Sequence, residues 1–231
     1  MTMSQIRHHA RSSREKQARA GQILDAARGL EEQVGFEALA VAQVARQAGI
    51  AKGTFFLYFT TKEALGLGLL EAQLLDWLAE LERLGHATSE PAAPQSLARR
   101  LAATIVARPA MVRLLALQGS LERNVEPEVL RGFRSRVLVG LRAAGAALDA
   151  VLATRGSADG IRLLQFVQVV AIGLQPFVES SAAGREVFTS PELAPLRIDF
   201  AGALESALRV HLEGLRALRT RHAEARSVAA E

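Results

Sequence analysis

Apolar residues recur along this chain at helical spacing and almost never alternate, so helices are predicted to carry the core. From Ser13 to Val34 the buried stripe is Ile23, Ala27, Leu30 and Val34, and Gly35 stops the helix. Val41, Val44, Ala45 and Ala48 then fall at i, i+3, i+4 and i+7, one face of a second, short helix. Gly49 supplies the backbone freedom for a tight turn, and Ile50 pins that turn to a core. A third segment runs from Ala51-Lys52 to Phe59. At about 100° per residue, Phe55, Phe56 and Phe59 share its inward side, while Gly53, Thr54, Leu57 and Tyr58 share the other. Thr61 is placed to cap a fourth helix that carries Leu65, Leu69, Leu74, Trp77, Leu78 and Leu81 to about Gly85.

Beyond a loop at HATSEPAAP, helices are predicted from Gln95 to Ala107, from Pro109 through MVRLLALQGSLERN, and from Pro127 through Arg136 to Leu148. GSADG, Gly156 to Gly160, breaks the pattern. The densest apolar run is Leu163 to Val178. A membrane span needs about 20 apolar residues, whereas three glutamines and Pro176 interrupt these sixteen. The run is therefore expected to be a buried helix kinked near Pro176. A loop from about Ser180 to Leu196 leads to a last helix, Asp199 to Arg221, with Leu204, Leu208, Leu212, Leu215 and Leu218 on one side. The fold class is all-α, with about nine helices and no repeat.

Two short helices meeting at a glycine, the second with aromatics inward and a compact outer face, are what a helix-turn-helix needs to enter a major groove. Charge sharpens this. The chain has net charge +4, and residues 1–62 hold nine basic side chains (Arg7, Arg11, Arg14, Lys16, Arg19, Arg28, Arg46, Lys52, Lys62) against five acidic ones (Glu15, Asp25, Glu31, Glu32, Glu37). The remaining residues balance, so the whole excess accompanies the helix-turn-helix, as phosphate neutralisation requires. Leu57 is suited to a thymine methyl, and Lys52 and Thr54 to bases or phosphates. Gln43 and Arg46, beside the turn, join the candidate DNA contacts. Residues 1–13 are expected to form a basic arm, disordered until bound, whose arginines reach phosphates or the minor groove.

The order AxxAGIAKGTFxxYFxxKEAL, within the stretch Lys16 to Leu75, resembles the DNA-binding motif of the tetracycline-repressor-like (TetR) family of bacterial regulators. The resemblance implies that Lys52, Thr54, Tyr58 and Lys62 approach the DNA backbone. It departs from the family pattern at Ala40, Ala51 and Phe56, where hydroxyl-bearing residues are usual, so contacts do not carry over there. The implied organisation is a helix-turn-helix domain at 14–75 (motif 40–59), joined through the fourth helix to a ligand-binding and dimerisation bundle at 76–221, with a polar tail at 222–231.

Catalysis finds no support: His8, His9, His86, His211 and His222 make no ligand pair at useful spacing, and no HExxH, GxSxG or phosphate-cradling motif occurs. No metal or cofactor is expected. Cysteine is absent and the N-terminus has no apolar secretory segment, which fits a reducing cytoplasm and no membrane partner. In the bundle, Trp77, Met111, Phe133, Phe166 and Phe177 are candidates for lining an apolar or aromatic effector's pocket, with Gln118 in a polar cluster nearby in sequence. Gln165, Gln168 and Gln175 need partners if buried, which leaves core bonding, a dimer interface or ligand contact open. A homodimer on a palindromic operator is expected, because two recognition helices must dock about one DNA turn apart. Ala171, Leu204, Leu208, Leu212 and Leu215, on the two last long helices, are the candidate interface. The expected function is a repressor released by a small molecule. The alternatives are an activator of the same fold, or a small-molecule-binding helical protein with vestigial DNA contact.

Overall fold

The computed structural model describes residues 3–87, 92–152, 158–177, 186–187 and 189–228, with side chains in the two terminal helices from Glu15 and to Arg221. Among these residues lie nine α-helices and no strand: α1 (Met3–Val34), α2 (Val41–Gln47), α3 (Lys52–Phe55), α4 (Lys62–His86), α5 (Pro94–Val106), α6 (Pro109–Glu122), α7 (Pro127–Val151), α8 (Asp159–Leu174) and α9 (Phe200–Val228). They form two compact units. The first comprises residues 1–74 and 117–137, the second 75–116 and 138–231.

In the first unit α2 packs against both α1 and α3. Helix α1 begins at Met3, so the backbone of the expected arm is helical; the side chains of Arg7, Arg11 and Arg14 lie outside the described residues. Its buried face is Ile23, Ala27 and Glu31, at steps of four. Leu30 is only half-buried, and Val34, the last residue of the helix, is 50% exposed, contrary to the predicted stripe. Gly35 ends the helix as expected, at φ +76° with its N–H on the Glu31 carbonyl. Thr61 Oγ1 accepts the Ala64 N–H at 3.0 Å, the predicted cap of α4. Glu71 binds Arg136 of α7 through two hydrogen bonds, one of them 2.8 Å from Nη2 to Oε2.

The second unit is organised by α9, which packs on α5 and α8. Trp77 is fully buried on α4, and its Nε1–H donates to Thr104 Oγ1 of α5 at 2.9 Å. Thr104 passes its own hydrogen to the Leu101 carbonyl at 2.7 Å, so the buried polar pair is satisfied. Arg108, in the two-residue break between α5 and α6, donates to the Thr104 carbonyl and pairs with Glu80 and Asp76 of α4.

Gly160 was assigned to a loop by its sequence but lies in the first turn of α8, where an added Cβ would sit 2.0 Å from the Gly145 carbonyl oxygen of α7. Asp149 Oδ1 accepts the Gly160 N–H at 2.7 Å, which closes the same crossing. The expected kink at Pro176 is a termination instead: α8 stops at Leu174 and a single 3-10 turn, Gln175–Phe177, carries the proline. Proline has no N–H to continue an α-helical ladder.

This helix is also not wholly buried, since Val169 is 66% exposed and Gln165 faces outward. With its 3-10 extension it reaches 19 residues at mean hydropathy 1.3, so length alone does not exclude a span as the sequence suggested. Its N-terminal Asp159 is held in ion pairs with Arg162 and Arg219, and the three glutamines interrupt the apolar surface.

Two neighbouring positions should respond oppositely to exchange of glycine and alanine. Gly160→Ala forces α7 and α8 apart and should lower stability by about 1–3 kcal/mol. Ala158→Gly relieves a φ of +57° and should raise it by about 1 kcal/mol. Denaturant midpoints at constant slope measure both.

Candidate nucleic-acid interface

The candidate DNA-reading segment is a helix of only four residues, so its position is set by what anchors it. Gly49 at φ +66° makes the turn, and the Ile50 N–H reaches back to the Ala45 carbonyl at 2.9 Å. Val44 and Ala45 of α2 and Phe55 of α3 are fully or nearly fully buried. Phe55 meets Phe56 edge-on at 5.3 Å and Phe59 at 5.8 Å between ring centroids.

Of the three aromatics expected inward, Phe55 alone is buried. Phe59 is half-buried and Phe56 is 44% exposed, because α-geometry ends at Phe55 and the angular placement of a regular helix no longer applies. Ala40 and Ala51 precede α2 and α3 without any side-chain cap, as their missing hydroxyls predict.

Outward from this anchor stand Lys52 and Gly53, both exposed, Leu57, 70% exposed, and Thr54 and Tyr58, both half-buried. Among the described residues these five have no side-chain hydrogen bond or ion pair that would occupy the face. Arg46 is exposed on α2. Gln43, though exposed, uses Oε1 to accept the Ala40 N–H at 3.3 Å, partly replacing the absent cap. Lys62 is engaged too: Nζ donates to the Glu37 carbonyl at 2.8 Å and lies 5.0 Å from the Phe36 ring centroid. That lysine ties the α1–α2 connection to α4 in addition to any role toward DNA.

Sequence reasoning missed the contribution of α1. Lys16, Arg19 and Gln22, at i, i+3 and i+6, border one open groove together with Glu15, Ala18, Leu57 and Tyr58. The signal was present as two cations one turn apart on the polar side of α1, but nothing in sequence placed that side next to Tyr58.

The effector candidates do not converge. Trp77 and Met111 lie in the second unit's core at 0% exposure, with Trp77 bonded to Thr104. Phe133 is buried in the first unit, and Gln118 there donates to Glu122 Oε1 at 2.7 Å. Phe166 stacks on His211, 4.0 Å between centroids, and Gln168 is half-buried beside it in sequence.

Gln175 borders a cavity of about 380 Å³ among Ile105, Val106, Pro109, Val112, Arg113, Ile198, Asp199, Phe200 and Ala201, within the second unit. Its walls come from four separate segments, which is why no local pattern announced it. The candidate interface residues are placed as follows. Ala171, Leu204, Leu208 and Leu212 are 0–3% exposed in the protomer's own core, because α9 turns its large side chains toward α5 and α8; Leu215 is half-buried.

A helix-turn-helix unit with a cationic outer face, followed by an all-helical second unit, defines a class of DNA-associated proteins. Residues 23–67 match the model of bacterial regulatory proteins of the tetR family, and residues 71–219 match the tetracyclin repressor-like C-terminal domain. The chain belongs to the tetR family. It is 37% identical over 83 residues to the HTH-type transcriptional regulator RutR of Escherichia coli (strain K12), a match covering 36% of this chain and 39% of that protein. It is 32% identical over 69 residues to the fatty acid metabolism regulator protein of Bacillus subtilis (strain 168), covering 30% and 36%. The chain thus matches well under half the length of these curated relatives.

Two solved structures share the fold. A tetR-family regulator from Mesorhizobium loti superposes with TM-score 0.59 at 19% identity, over 88% of this chain and 97% of that one. Thermus thermophilus FadR, a TetR-family repressor solved with lauroyl-CoA, gives 0.54 at 22%, over 84% and 94%.

The contrast between anchor and outer face is measurable. Phe55→Ala should cost about 3–5 kcal/mol, whereas Lys52→Ala and Leu57→Ala should stay within about 0.5 kcal/mol of the parent in thermal melts.

Proposed function

We propose that this chain is a sequence-specific, homodimeric DNA-binding regulator that represses transcription and is released by a small apolar effector. The observation that carries the reading is the face of Lys52, Gly53, Thr54, Leu57 and Tyr58, presented outward from a fully buried Phe55. Side chains on one short rigid turn, flanked by Lys16 and Arg19 of α1, suit a major groove with phosphates on either side. Family membership supports DNA as the partner, and the regulatory roles of RutR and FadR support regulation. Such a protein works beside the chromosome, in the cytoplasm.

Two half-sites need two copies of this face. The surface best suited to pairing is the outer side of α8 and α9. There Val169, Val210 and Phe177 are 56–66% exposed, and Gly173 and Gly214 leave room for another backbone.

The 380 Å³ cavity at the ends of α5, α6, α8 and α9 is the proposed effector site. It is within the size range of small-ligand pockets and mostly apolar, with Gln175 and Arg113 as polar contacts. Helix α6 begins at that cavity with Pro109, Val112 and Arg113, so a ligand there touches its first turn.

Titrating the chain with the DNA upstream of its own gene tests the reading. Binding should weaken steeply with salt, Lys52→Ala should lower the salt slope by about 1, and Tyr58→Ala should weaken binding with helix content intact. Salt-independent association, or none, refutes DNA recognition and leaves the vestigial alternative. Reporter expression separates repression from activation. Val112→Trp, which fills the cavity, should leave DNA affinity unchanged and abolish release by any effector found; an unaltered response moves the effector elsewhere.

A further inference from the structure

His211 lies on α9 within the outer apolar surface of α8 and α9, and it is stacked nearly parallel on Phe166 of α8, with 14° between the rings. Its positions one turn away on α9 are Ala207, Leu208, Gly214 and Leu215, none of them polar. Imidazole Nε2 is buried from solvent and has no hydrogen-bond partner. Every charge on the elements packed around it is engaged elsewhere or stands on another face. On α8, Arg162 pairs with Asp159, which also holds Arg219. On α9, Arg209 pairs with Glu213, and Glu205 pairs with Arg99 of α5; Arg100 of α5 has its own interactions, and Arg216 is exposed. No carboxylate pairs with His211 among the described residues.

We propose that His211 makes self-association of this chain pH-sensitive: two copies pair through the α8–α9 surface while the imidazole is neutral and separate when it is protonated. The proposal rests on the homodimer reading above. A neutral ring can be stacked and covered by a second copy, whereas an imidazolium there would be a buried charge without a counter-ion. Burial already pushes the His211 imidazole below its ordinary value of 6.5 in the single chain, and a second copy would cover it further. A separated chain then binds more protons than a paired one as pH falls through the separated chain's own lowered value. Association is therefore full while His211 is neutral in the separated chain and is lost progressively at pH values below 6.5. Two-fold symmetry doubles the effect, because each pair carries two such rings.

Sedimentation velocity of the full chain at constant ionic strength, from about pH 8 to about pH 5.5, tests this, with far-ultraviolet circular dichroism on the same samples. The expected result is a dimer at the alkaline end and a dissociation constant that rises by up to about tenfold per proton for each unit of acidification, with helix content unchanged. His211→Gln, uncharged throughout, should remain dimeric across the range, and His211→Lys should be monomeric at every pH. A monomer at about pH 8 refutes the dimer reading itself. A dimer with a pH-independent constant overturns the role of His211 alone. So does a His211→Gln variant that keeps the parent's pH response, or dissociation that occurs only together with loss of helix.

Discussion

The face that the first unit presents depends on the burial of one phenyl ring. A four-residue helix fixes more backbone dihedrals than its hydrogen bonds repay, so α3 cannot persist on local grounds. Phe55, at 0% exposure, contributes the missing stabilisation, and the turn at Gly49 brings it against Val44 and Ala45 of α2. The same constraint explains why Leu57 stands 70% exposed, at a cost in solvation that a free helix surface would not usually carry. The segment is too short to bury both residues: once Phe55 points inward, the residue two positions on points out. The reading face is thus a by-product of the anchor, and its rigidity is inherited from the core.

The second unit solves the opposite problem. Gly145 and Gly160 let α7 and α8 approach to backbone contact, and the Trp77–Thr104 hydrogen bond locks α4 to α5. Interiors at native density hold few gaps bigger than a water molecule. Space opens more readily where helices end. α5 and α6 meet at a bend of 79°, α8 stops at Leu174 with Pro176 just beyond, and α9 starts at Phe200 behind an Asp199 cap on Gly202. The cavity forms at the junction of those ends. A ligand there touches helix termini, which move at less cost than a packed centre.

Much of this was legible in the sequence, and the gaps have physical causes. Thr61 as a cap, Gly35 and Gly49 as stops, and the leucine stripe of α4 are local signals, and each reappears where it was read. The missing caps at Ala40 and Ala51 were equally local. Phe56 was misplaced because periodicity presumes a regular helix, and α3 is one turn. Gly160 was read as a breaker because a glycine's use in a close helix crossing is invisible without its partner Gly145. Lys16 and Arg19 could be read as cations but not as neighbours of Tyr58, and the cavity's four wall segments had no common pattern at all.

Helix α9 sorts its residues by size. Leu204, Leu208 and Leu212 recur every four positions and are sealed against α5 and α8, while Ala203, Ala207 and Gly214 lie on neighbouring stripes that remain accessible. A protomer must cohere before it can pair, so its bulkiest side chains go to the core, where each removes the most apolar area from water. What is left for a second copy is a surface where small residues stand beside a few exposed apolar ones such as Val169 and Val210, able to admit another backbone closely but offering less apolar area than the core. Such a surface is stabilised less by burial than a leucine core would be. A single uncompensated charge therefore weighs more heavily there, and His211 is the residue of α9 placed to introduce one.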